Sequence, residues 1–546
     1  MEIYDYIIVG AGSAGCALAR GLSDNPDSSV LLIEAGPSQD KFWIHTPAGM
    51  AKLYFNERRN WNFYTEPMSA LLNREMYWPR GKTLGGSSSI NGMVFIRGHS
   101  GDFDSWKNLG NRGWGYEDVL PYFIRMESFE RGGDPAYRGT QGPLCVSDPV
   151  VKEPSSHDFI EAARSIGIPV TEDMNGATHD GVGFMQHTIR KGRRHSAYNA
   201  FIEPVKNRRN LTVRTDCAVQ RVLFENRTAT GVEVIEKGAK RTYQAAREVI
   251  LSAGSIKTPQ IMMLSGVGPG DELARHGIPI VHESAGVGRN LQDHFYVHTA
   301  FRSTPDSSYN ARLAGLSKYI EGARYLLTHK GYLALGSSQV AAFVKGKEEE
   351  DYADLQISFR PMTFQFHPNG LIEVESHPGM GVSVYQLRPK ATGTVTLRST
   401  SAADKPVLTP NFLTTSYDIE TMISGIRTIR KIMSSAPMAS RVVAEDLPGP
   451  HVRSDDDIYK FMEETGNSAH HQGGTCKMGR DDMAVVDERL RVHGLERLRI
   501  VDASIMPHLT SGNTNAPTIM IGAKAADMIA QDAVPRRAEL RHQLSA

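Results

Sequence analysis

Cysteine is scarce in this 546-residue chain, and charge of either sign is not in excess. Four cysteines lie far apart without metal-ligand or disulfide-framework spacing, namely Cys16, Cys145, Cys217 and Cys476. This usage is typical of a reducing compartment, and it predicts no metal site. Lysine plus arginine equals aspartate plus glutamate at 61 each. Because no basic block stands out either, we expect no nucleic acid partner.

Long apolar runs are also missing. No run reaches the roughly 18 to 20 residues that a membrane-spanning helix needs. The N-terminus enters the apolar segment 6–9 without a basic region or a cleavage site. We therefore expect a cytoplasmic protein with no transmembrane segment. The tail after Pro535 is short but basic, which leaves peripheral membrane association open.

A glycine-rich turn near the N-terminus predicts a dinucleotide site. Residues 7–9 have the pattern of a buried strand, the turn GAGSAG occupies 10–15, and 16–22 favours a helix. Val30 to Ile33 predicts the next strand, and Glu34 ends it 19 positions after Gly15. This is the GxGxxG pattern in the context it requires, with a strand before, a helix after and an acid about 20 residues on.

Each glycine of this turn has a physical role in holding a pyrophosphate. Gly10 permits the tight turn, Gly12 lets the backbone approach the phosphates, and Gly15 lets the helix pack against the strand. The helix N-terminus favours negative charge. Glu34 can accept hydrogen bonds from ribose hydroxyls, and its charge disfavours a 2′-phosphate. The turn alone does not separate NAD from FAD.

Three later segments bear on the choice between NAD and FAD. They read GKTLGGSSSING at 81–92, GSIKTPQIMMLSGVG at 254–268, and HQGGTC at 471–476 followed by VDAS at 501–504 and GNTNAPT at 512–518. Together with the turn, they resemble the glucose–methanol–choline (GMC) oxidoreductase family from Tyr4 to about Ile529. The nearer resemblance is to bacterial members that act on choline, sorbose or aliphatic primary alcohols.

The resemblance implies a fold class and a division of the chain. We expect an α/β protein in which a Rossmann-like βαβ domain for FAD is interleaved with a substrate domain built on an antiparallel sheet. The FAD-binding domain is placed at 1–150, 206–304 and 452–546. The substrate-binding domain is placed at 151–205 and 305–451, where alternating residues such as 394–397 favour strands.

The resemblance also implies FAD contacts. The residues it assigns to FAD are Gly10, Gly12, Ser13, Ala14, Gly15, Glu34, Ala35, Lys82, Leu84, Gly85, Gly86, Asn91, Gly92, Met93, Val94, Val219, Ala253, Asp502, Ala503, Asn513, Ala516, Pro517 and Thr518. Some members bond the flavin covalently through a histidine at the position of Ile90. Isoleucine cannot form that bond, so we expect non-covalent FAD.

The same resemblance places His471 at the catalytic histidine and assigns Asn515 as its partner. Alcohol oxidation removes a proton from oxygen and a hydride from carbon, and a neutral imidazole can take the proton. The amide of Asn515 can then donate to the developing alkoxide, and the hydride passes to flavin N5. His470 is an alternative base, and Asn513 is a close alternative to Asn515.

The implied function is FAD-dependent oxidation of a small alcohol, primary by the nearer resemblance, to an aldehyde or ketone. Oxygen or a quinone-type acceptor then reoxidises the flavin. One alternative is a lyase of the same fold in which FAD is structural and the histidine is an acid–base group. A nicotinamide-dependent dehydrogenase shares only the opening turn, and a binding protein needs no histidine beside a flavin.

Overall fold

The computed structural model describes residues 2–39, 42–366 and 372–544. Two large sheets organise this part of the chain, and helices pack against both. The α-helices are Ser13–Leu22, Met50–Leu53, Ser100–Asn108, Tyr116–Met126, Pro154–Ser165, Gly254–Leu264, Gly270–Arg275, Asn310–Leu313, Ser317–Thr328, Ser416–Met433, Asp455–Thr465 and Asn515–Leu544. No helix in the described ranges has the length and apolar content needed to cross a bilayer.

The first sheet contains the predicted βαβ unit. Its strands in spatial order are Leu211–Arg214, Val30–Ile33, Glu2–Val9, Ala239–Leu251, Thr228–Glu236 and Cys217–Glu225, and Leu498–Ile500 also pairs with Ala239–Leu251. The pairs around Glu2–Val9 are parallel, whereas Thr228–Glu236 is antiparallel to both of its neighbours. Parallel strands are covered on both faces, which explains why Val30–Ile33 is buried at every position.

The first and last helices cross closely over this sheet. A Cβ on Gly522 would lie 2.3 Å from the Ala14 carbonyl oxygen, and one on Gly21 would lie 2.6 Å from the Ala526 Cβ. Glycine at these two positions lets the helix backbones approach. The crossing therefore brings the N-terminus of the helix Asn515–Leu544 to the glycine-rich turn, although the two are about 500 residues apart in sequence.

The second sheet is antiparallel throughout, as the resemblance implies. Its strands in spatial order are Val442–Leu447, Phe295–Ser303, Gly379–Gln386, Leu355–Arg360, Val340–Val344 and Gly181–Phe184, and Asn467–Ser468 also pairs with Phe295–Ser303. The predicted fold class is confirmed: a mixed α/β sheet and an antiparallel sheet are interleaved along one chain.

The strand Phe295–Ser303 ends next to one predicted domain boundary. The sequence-based division ends an FAD-binding segment at residue 304, but this strand pairs with Gly379–Gln386 in the second sheet. Its alternate residues Val297 and Phe301 are buried in the core of that sheet. The sequence-based boundary at residue 304 stays a prediction, and the strand that precedes it belongs to the second sheet.

The two faces of the second sheet differ in chemistry. Ile357 and Val384 face a core that includes Ile426 and Ile429 of the helix Ser416–Met433. The alternate positions on the same strands carry polar side chains that are also buried. This polar face lines a cavity between the two sheets.

Smaller elements complete the described fold. The two-stranded pairs are Phe63–Tyr64 with Tyr77–Trp78, Val94–Phe95 with Gln186–His187, Glu127–Phe129 with Leu144–Val146, Ile189–Arg190 with Arg193–Arg194, Val267–Gly268 with His282–Glu283, Phe364–Phe366 with Ile372–Val374, and Thr394–Thr396 with Val407–Thr409. The pair Val94–Phe95 with Gln186–His187 lies beside the cavity, because Val94 lines it.

Candidate active site

The glycine-rich turn has the geometry expected for a phosphate site. Gly10 has a φ of +105°, and a Cβ on Gly15 would lie 2.0 Å from the Gly10 carbonyl oxygen. Both positions therefore require glycine. The helix that follows begins at Ser13, and the first N–H groups of a helix have no intrahelical acceptor. The turn thus offers free donors where a pyrophosphate is favoured.

Glu34 closes one side of the turn. Its carboxylate accepts hydrogen bonds from the backbone N–H groups of Ala11 at 3.1 Å and Gly36 at 2.9 Å. Burial raises the pKa of Glu34 to about 7, although both backbone bonds oppose that shift. The carboxylate borders the cavity, so it is available to ribose hydroxyls as the sequence predicts.

The segment 81–92 packs directly on this turn. The Gly85 N–H donates to the Ala11 carbonyl at 2.7 Å. Gly86 has a φ of +52°, and a Cβ there would lie 2.8 Å from the Gly12 Cα. Gly86 is therefore required by the contact between the two loops, whatever else binds beside them.

Contacts within the protein do not explain why position 12 is a glycine. Its φ of −80° is open to any residue, and a Cβ there would meet only the Ser252 carbonyl oxygen at 3.9 Å. The free space beside it belongs to the cavity. A group that approaches the backbone here accounts for the glycine, and the pyrophosphate of FAD has the required chemistry. The residues present therefore fit FAD.

The cavity has a volume of about 460 Å³ and contains most of the residues predicted for FAD. Those that line it are Gly10, Gly12, Ser13, Ala14, Glu34, Ala35, Gly86, Asn91, Gly92, Met93, Val94, Val219, Ala253, Asp502, Ala503, Asn513 and Thr518. Six predicted residues lie outside the lining: Gly15, Lys82, Leu84, Gly85, Ala516 and Pro517. Gly15 and Gly85 shape the loops, and the Lys82 ammonium lies 4.7 Å from the Trp61 ring centroid.

Asp502 connects the first sheet to the helix Gly254–Leu264. Its carboxylate accepts from the Gly254 N–H at 2.9 Å, from the Thr258 hydroxyl at 2.7 Å and from the Ser504 N–H at 2.8 Å. Burial raises its pKa, and the hydroxyl and backbone bonds act in the opposite direction. With these bonds, Asp502 borders the cavity as a held carboxylate.

His471 lies at the other end of the cavity, between two further polar side chains. Its Nδ1 is 2.9 Å from Nδ1 of His294, and its Nε2 is 2.8 Å from the amide nitrogen of Asn513. The remaining nitrogen of His294, Nε2, is 2.9 Å from the Leu387 carbonyl oxygen. Four groups from distant parts of the chain thus form one row.

This row determines where the protons lie. The Leu387 carbonyl can only accept, so His294 Nε2 carries a hydrogen and, in the neutral ring, Nδ1 accepts. His471 must then donate from Nδ1. Its Nε2 is left with a lone pair, which accepts from the Asn513 amide. The geometry therefore presents the basic nitrogen of His471 on the cavity side.

The surroundings favour the neutral form of both rings. Burial lowers the pKa of His471 well below the usual histidine range, with smaller contributions from His294, His470 and Arg80. Burial also lowers the pKa of His294 to about 3. At neutral pH His471 is consequently uncharged and able to accept a proton.

The expectation for Asn515 is not met in this geometry. Asn515 is the first residue of the last helix, and its side-chain oxygen accepts from the Ser13 hydroxyl at 2.7 Å. Asn513 lies just before that helix and makes the contact with His471. Its side-chain oxygen in turn accepts from the Tyr385 hydroxyl at 3.4 Å. The sequence left both residues open as the partner of His471, and of the two it is Asn513 that contacts the imidazole in this structure.

His470 is held away from Asn513. It has a φ of +65°, and its Nε2 is 2.9 Å from the Tyr54 hydroxyl. Asp293 holds His471 directly, because its carboxylate accepts from the His471 N–H at 2.7 Å. It reaches His470 through Ser468, whose hydroxyl donates to Asp293 and accepts from the His470 N–H at 2.8 Å. Sequence reasoning did not single out Asp293 and His294, since a polar stretch before a strand carries no distinctive pattern.

Comparison with known proteins agrees with the family resemblance. Models of the GMC oxidoreductase family match residues 4–296 and 389–522. An alcohol dehydrogenase [acceptor] of Pseudomonas putida is 42% identical over 96% of this chain and 96% of its own length. The mitochondrial choline dehydrogenase of Mus musculus is 41% identical over 96% of this chain and 89% of its own.

Solved structures show the same similarity. Pyridoxine 4-oxidase from Mesorbium loti has a TM-score of 0.87 and 30% identity, with 97% of this chain and 99% of that chain covered. A formate oxidase has a TM-score of 0.91 and 28% identity over the same shares of the two chains. The fold described above is therefore similar to that of these oxidases.

Two glycine substitutions should separate the effect of a side chain on FAD binding from its effect on the stability of the protein. Gly12→Ala adds a methyl group only into the cavity, so it should lower FAD occupancy and leave the stability of the FAD-free protein unchanged. Gly86→Ala should destabilise that protein by about 1–3 kcal/mol, because its Cβ meets backbone. FAD content and thermal unfolding measure the two effects. Normal FAD binding by Gly12→Ala would refute the placement of the pyrophosphate.

Proposed function

Because the chain belongs to the GMC oxidoreductase family and is an FAD-dependent alcohol oxidoreductase, we propose that it oxidises a primary alcohol with His471 as the base. The observation that carries this proposal is the unprotonated His471 Nε2, whose lone pair faces the cavity and accepts from the Asn513 amide. A substrate hydroxyl that enters between them can donate to Nε2 and accept from the amide.

The residues then perform complementary steps. Bound FAD supplies the hydride acceptor, its N5 atom. His471 takes the hydroxyl proton at Nε2 as the alcohol becomes an alkoxide, and the Asn513 N–H stabilises the negative charge on that oxygen. The resulting imidazolium donates through Nδ1 to His294, whose Nδ1 lone pair faces it. The Leu387 carbonyl holds His294 in the tautomer that makes this possible.

Family membership alone does not give the electron acceptor. The Pseudomonas putida relative is named an alcohol dehydrogenase [acceptor], whereas several structural relatives are oxidases. We propose a quinone-type acceptor in place of oxygen, by similarity to the more identical relative. We expect the absorbance of the reduced flavin to return only slowly when air is admitted. A fast return of the oxidised flavin would identify an oxidase.

The catalytic assignment can be tested by anaerobic flavin bleaching with a panel of alcohols. His471→Ala should lower the reduction rate by about 10²- to 10⁴-fold with FAD still bound, and Asn513→Ala should lower it by about 10²- to 10³-fold. Asn515→Ala is the matched control, since its side chain bonds Ser13, and it should retain most of the rate.

The pH profile of the same reaction provides a second check. Because the pKa of His471 is lowered in the protein, the rate should fall only at a pH below about 6.5, the usual histidine value. A wild-type rate in His471→Ala excludes it as the base. If FAD binds and no alcohol bleaches it, a lyase function with structural FAD is the better interpretation.

We also propose that FAD is bound without a covalent link. Ile90 lines the cavity and is buried, and its side chain has no atom that can bond to the flavin. Acid precipitation of the purified protein should therefore release the yellow cofactor into the supernatant as FAD. Flavin absorbance that stays in the protein pellet would show a covalent attachment through another residue.

A further inference from the structure

The polar face of the second sheet points to a substrate more specific than a simple alcohol. Gln356, Ser358 and Arg360 alternate along one strand, Ser383 and Tyr385 lie on the next, and all five line the cavity. Each of them is at least nine-tenths buried. Burying polar groups costs free energy unless they have partners. A face of this kind is therefore suited to a polar ligand.

Arg360 is the least satisfied member of this face. It is 8% exposed, and its Nη2 donates to the Ser383 hydroxyl at 2.9 Å and to the Tyr296 hydroxyl at 3.3 Å. Its Nε is buried without a partner. No carboxylate among the described residues lies within ion-pair distance of it. A guanidinium has five N–H donors, and a buried one is normally paired with an anion.

Other charged residues on the cavity do not compensate for Arg360. The carboxylates in the lining are Glu34 and Asp502, and both accept from backbone N–H groups of the dinucleotide-binding half. Two further cations in the lining, the half-buried Arg80 and the buried Lys257, donate to backbone carbonyls. Arg360 donates only to hydroxyls, so its charge is met by neutral groups.

We propose that Arg360 binds a carboxylate at the far end of the substrate, so that the enzyme oxidises ω-hydroxycarboxylates. This inference rests on the proposed function for the hydroxyl end of the molecule. The planar fork of arginine matches a carboxylate through two parallel hydrogen bonds. Gln356 lies on the same face, and its side-chain oxygen is also buried without a partner.

The positions of the two groups set the length of the substrate. The Tyr385 ring centroid is 5.6 Å from that of His471, and Tyr385 lies two residues from Ser383 on the same face. Two residues of a strand span about 7 Å. The guanidinium donates to Ser383, one row from Tyr385, and to the hydroxyl of Tyr296, which pairs with Tyr385, so it lies between these two rows. A carboxylate several carbons away from the hydroxyl reaches it, and that of an α-hydroxy acid does not.

The test compares alcohols with different far ends in anaerobic flavin reduction. The panel contains 4-hydroxybutanoate, 6-hydroxyhexanoate and 8-hydroxyoctanoate, the n-alkanols of matching length, and choline. One hydroxycarboxylate should be preferred over its alkanol by about 10-fold or more, because a charge-assisted bond is gained. Arg360→Gln should abolish that preference, measured within each protein as the ratio of the hydroxycarboxylate rate to the alkanol rate. Arg360→Lys should restore part of it.

Binding without turnover gives an independent readout. Hexanoate has no hydroxyl to oxidise, and its binding to the FAD-loaded protein can be followed by perturbation of the flavin absorbance. We expect hexanoate to bind the wild type and to compete with 6-hydroxyhexanoate. Wild-type preference for alkanols or choline with no hexanoate binding overturns the inference. Arg360-dependent hexanoate binding without reduction by any alcohol overturns the proposed function and keeps the anion site.

A second inference comes from the helix Ser317–Thr328, whose apolar side faces solvent. Leu316, Tyr319, Ile320, Leu326 and Leu327 are 60–83% exposed. At 100° per residue they form one stripe of the helix. The opposite side is buried and carries Glu321 and Tyr325.

The charged residues near this apolar stripe indicate which kind of surface it would bind. Arg312, Lys318, Arg324 and Lys330 lie in or next to this helix, and the acid in the segment, Glu321, is turned inward and pairs with Arg324 at 3.5 Å. A solvent-facing apolar stripe beside cations is the pattern of a helix that lies in the headgroup region of a membrane. We propose that this helix docks on an anionic lipid surface.

Vesicle co-sedimentation of the FAD-loaded full chain tests the docking. The protein should sediment with vesicles of phosphatidylcholine plus phosphatidylglycerol, and less with phosphatidylcholine alone or at high salt. The combined variant Leu316→Ser, Ile320→Ser and Leu327→Ser should lose binding. Ile3→Ser with Val443→Ser, two exposed positions elsewhere, is the matched control. Absence of sedimentation, or a dimer that the triple variant converts to monomer, overturns the proposal.

Discussion

The hydrogen bond between His294 and His471 is the interaction on which the reacting end of this protein depends. His294 precedes the strand Phe295–Ser303, and its other nitrogen is held by Leu387, just after the strand Gly379–Gln386. Asn513, on the far side of His471, leads into the helix Asn515–Leu544, which packs on the first helix, Ser13–Leu22. The row therefore connects the second sheet with the helices of the dinucleotide half. Each hydrogen bond of the row runs in one direction, so Nδ1 of His471 carries the proton and Nε2 is the nitrogen that can act as a base. The packing that brings these four groups together therefore also sets the protonation state of the base.

Asp293 shows how that constraint is supported. A carboxylate this deeply buried would be costly alone, and burial does raise its pKa to about 6. It accepts from the His471 backbone, from Gln472 and from Ser468, which satisfies its oxygens. Those bonds keep the backbone at His470 in its left-handed conformation and direct the two adjacent imidazoles to different partners. Two histidines in tandem can thus have separate environments.

Much of the dinucleotide half could be predicted from sequence because its signals are local. The strand Val30–Ile33, the capped helix after Ser454 and the turn from Gly10 to Gly15 each depend on neighbours within a few residues. The choice between Asn513 and Asn515 depends instead on where the last helix begins and on its crossing with the first helix. His294 and Arg360 are defined by pairing between distant strands, and their spacing along the chain carries no such information.

The part of the cavity around Arg360 illustrates why family membership does not determine which alcohol is oxidised. Relatives named choline dehydrogenases share about 41% identity with this chain, and choline carries a permanent positive charge. A buried guanidinium at Arg360, without a carboxylate beside it, repels such a cation where water cannot screen the charges. The same hydroxyl chemistry at His471 is compatible with either far end, because the polar face of the second sheet contacts the remote part of the substrate. The proposal for Arg360 thus assigns the reaction to groups around His471 and the choice of alcohol to the polar face of the second sheet.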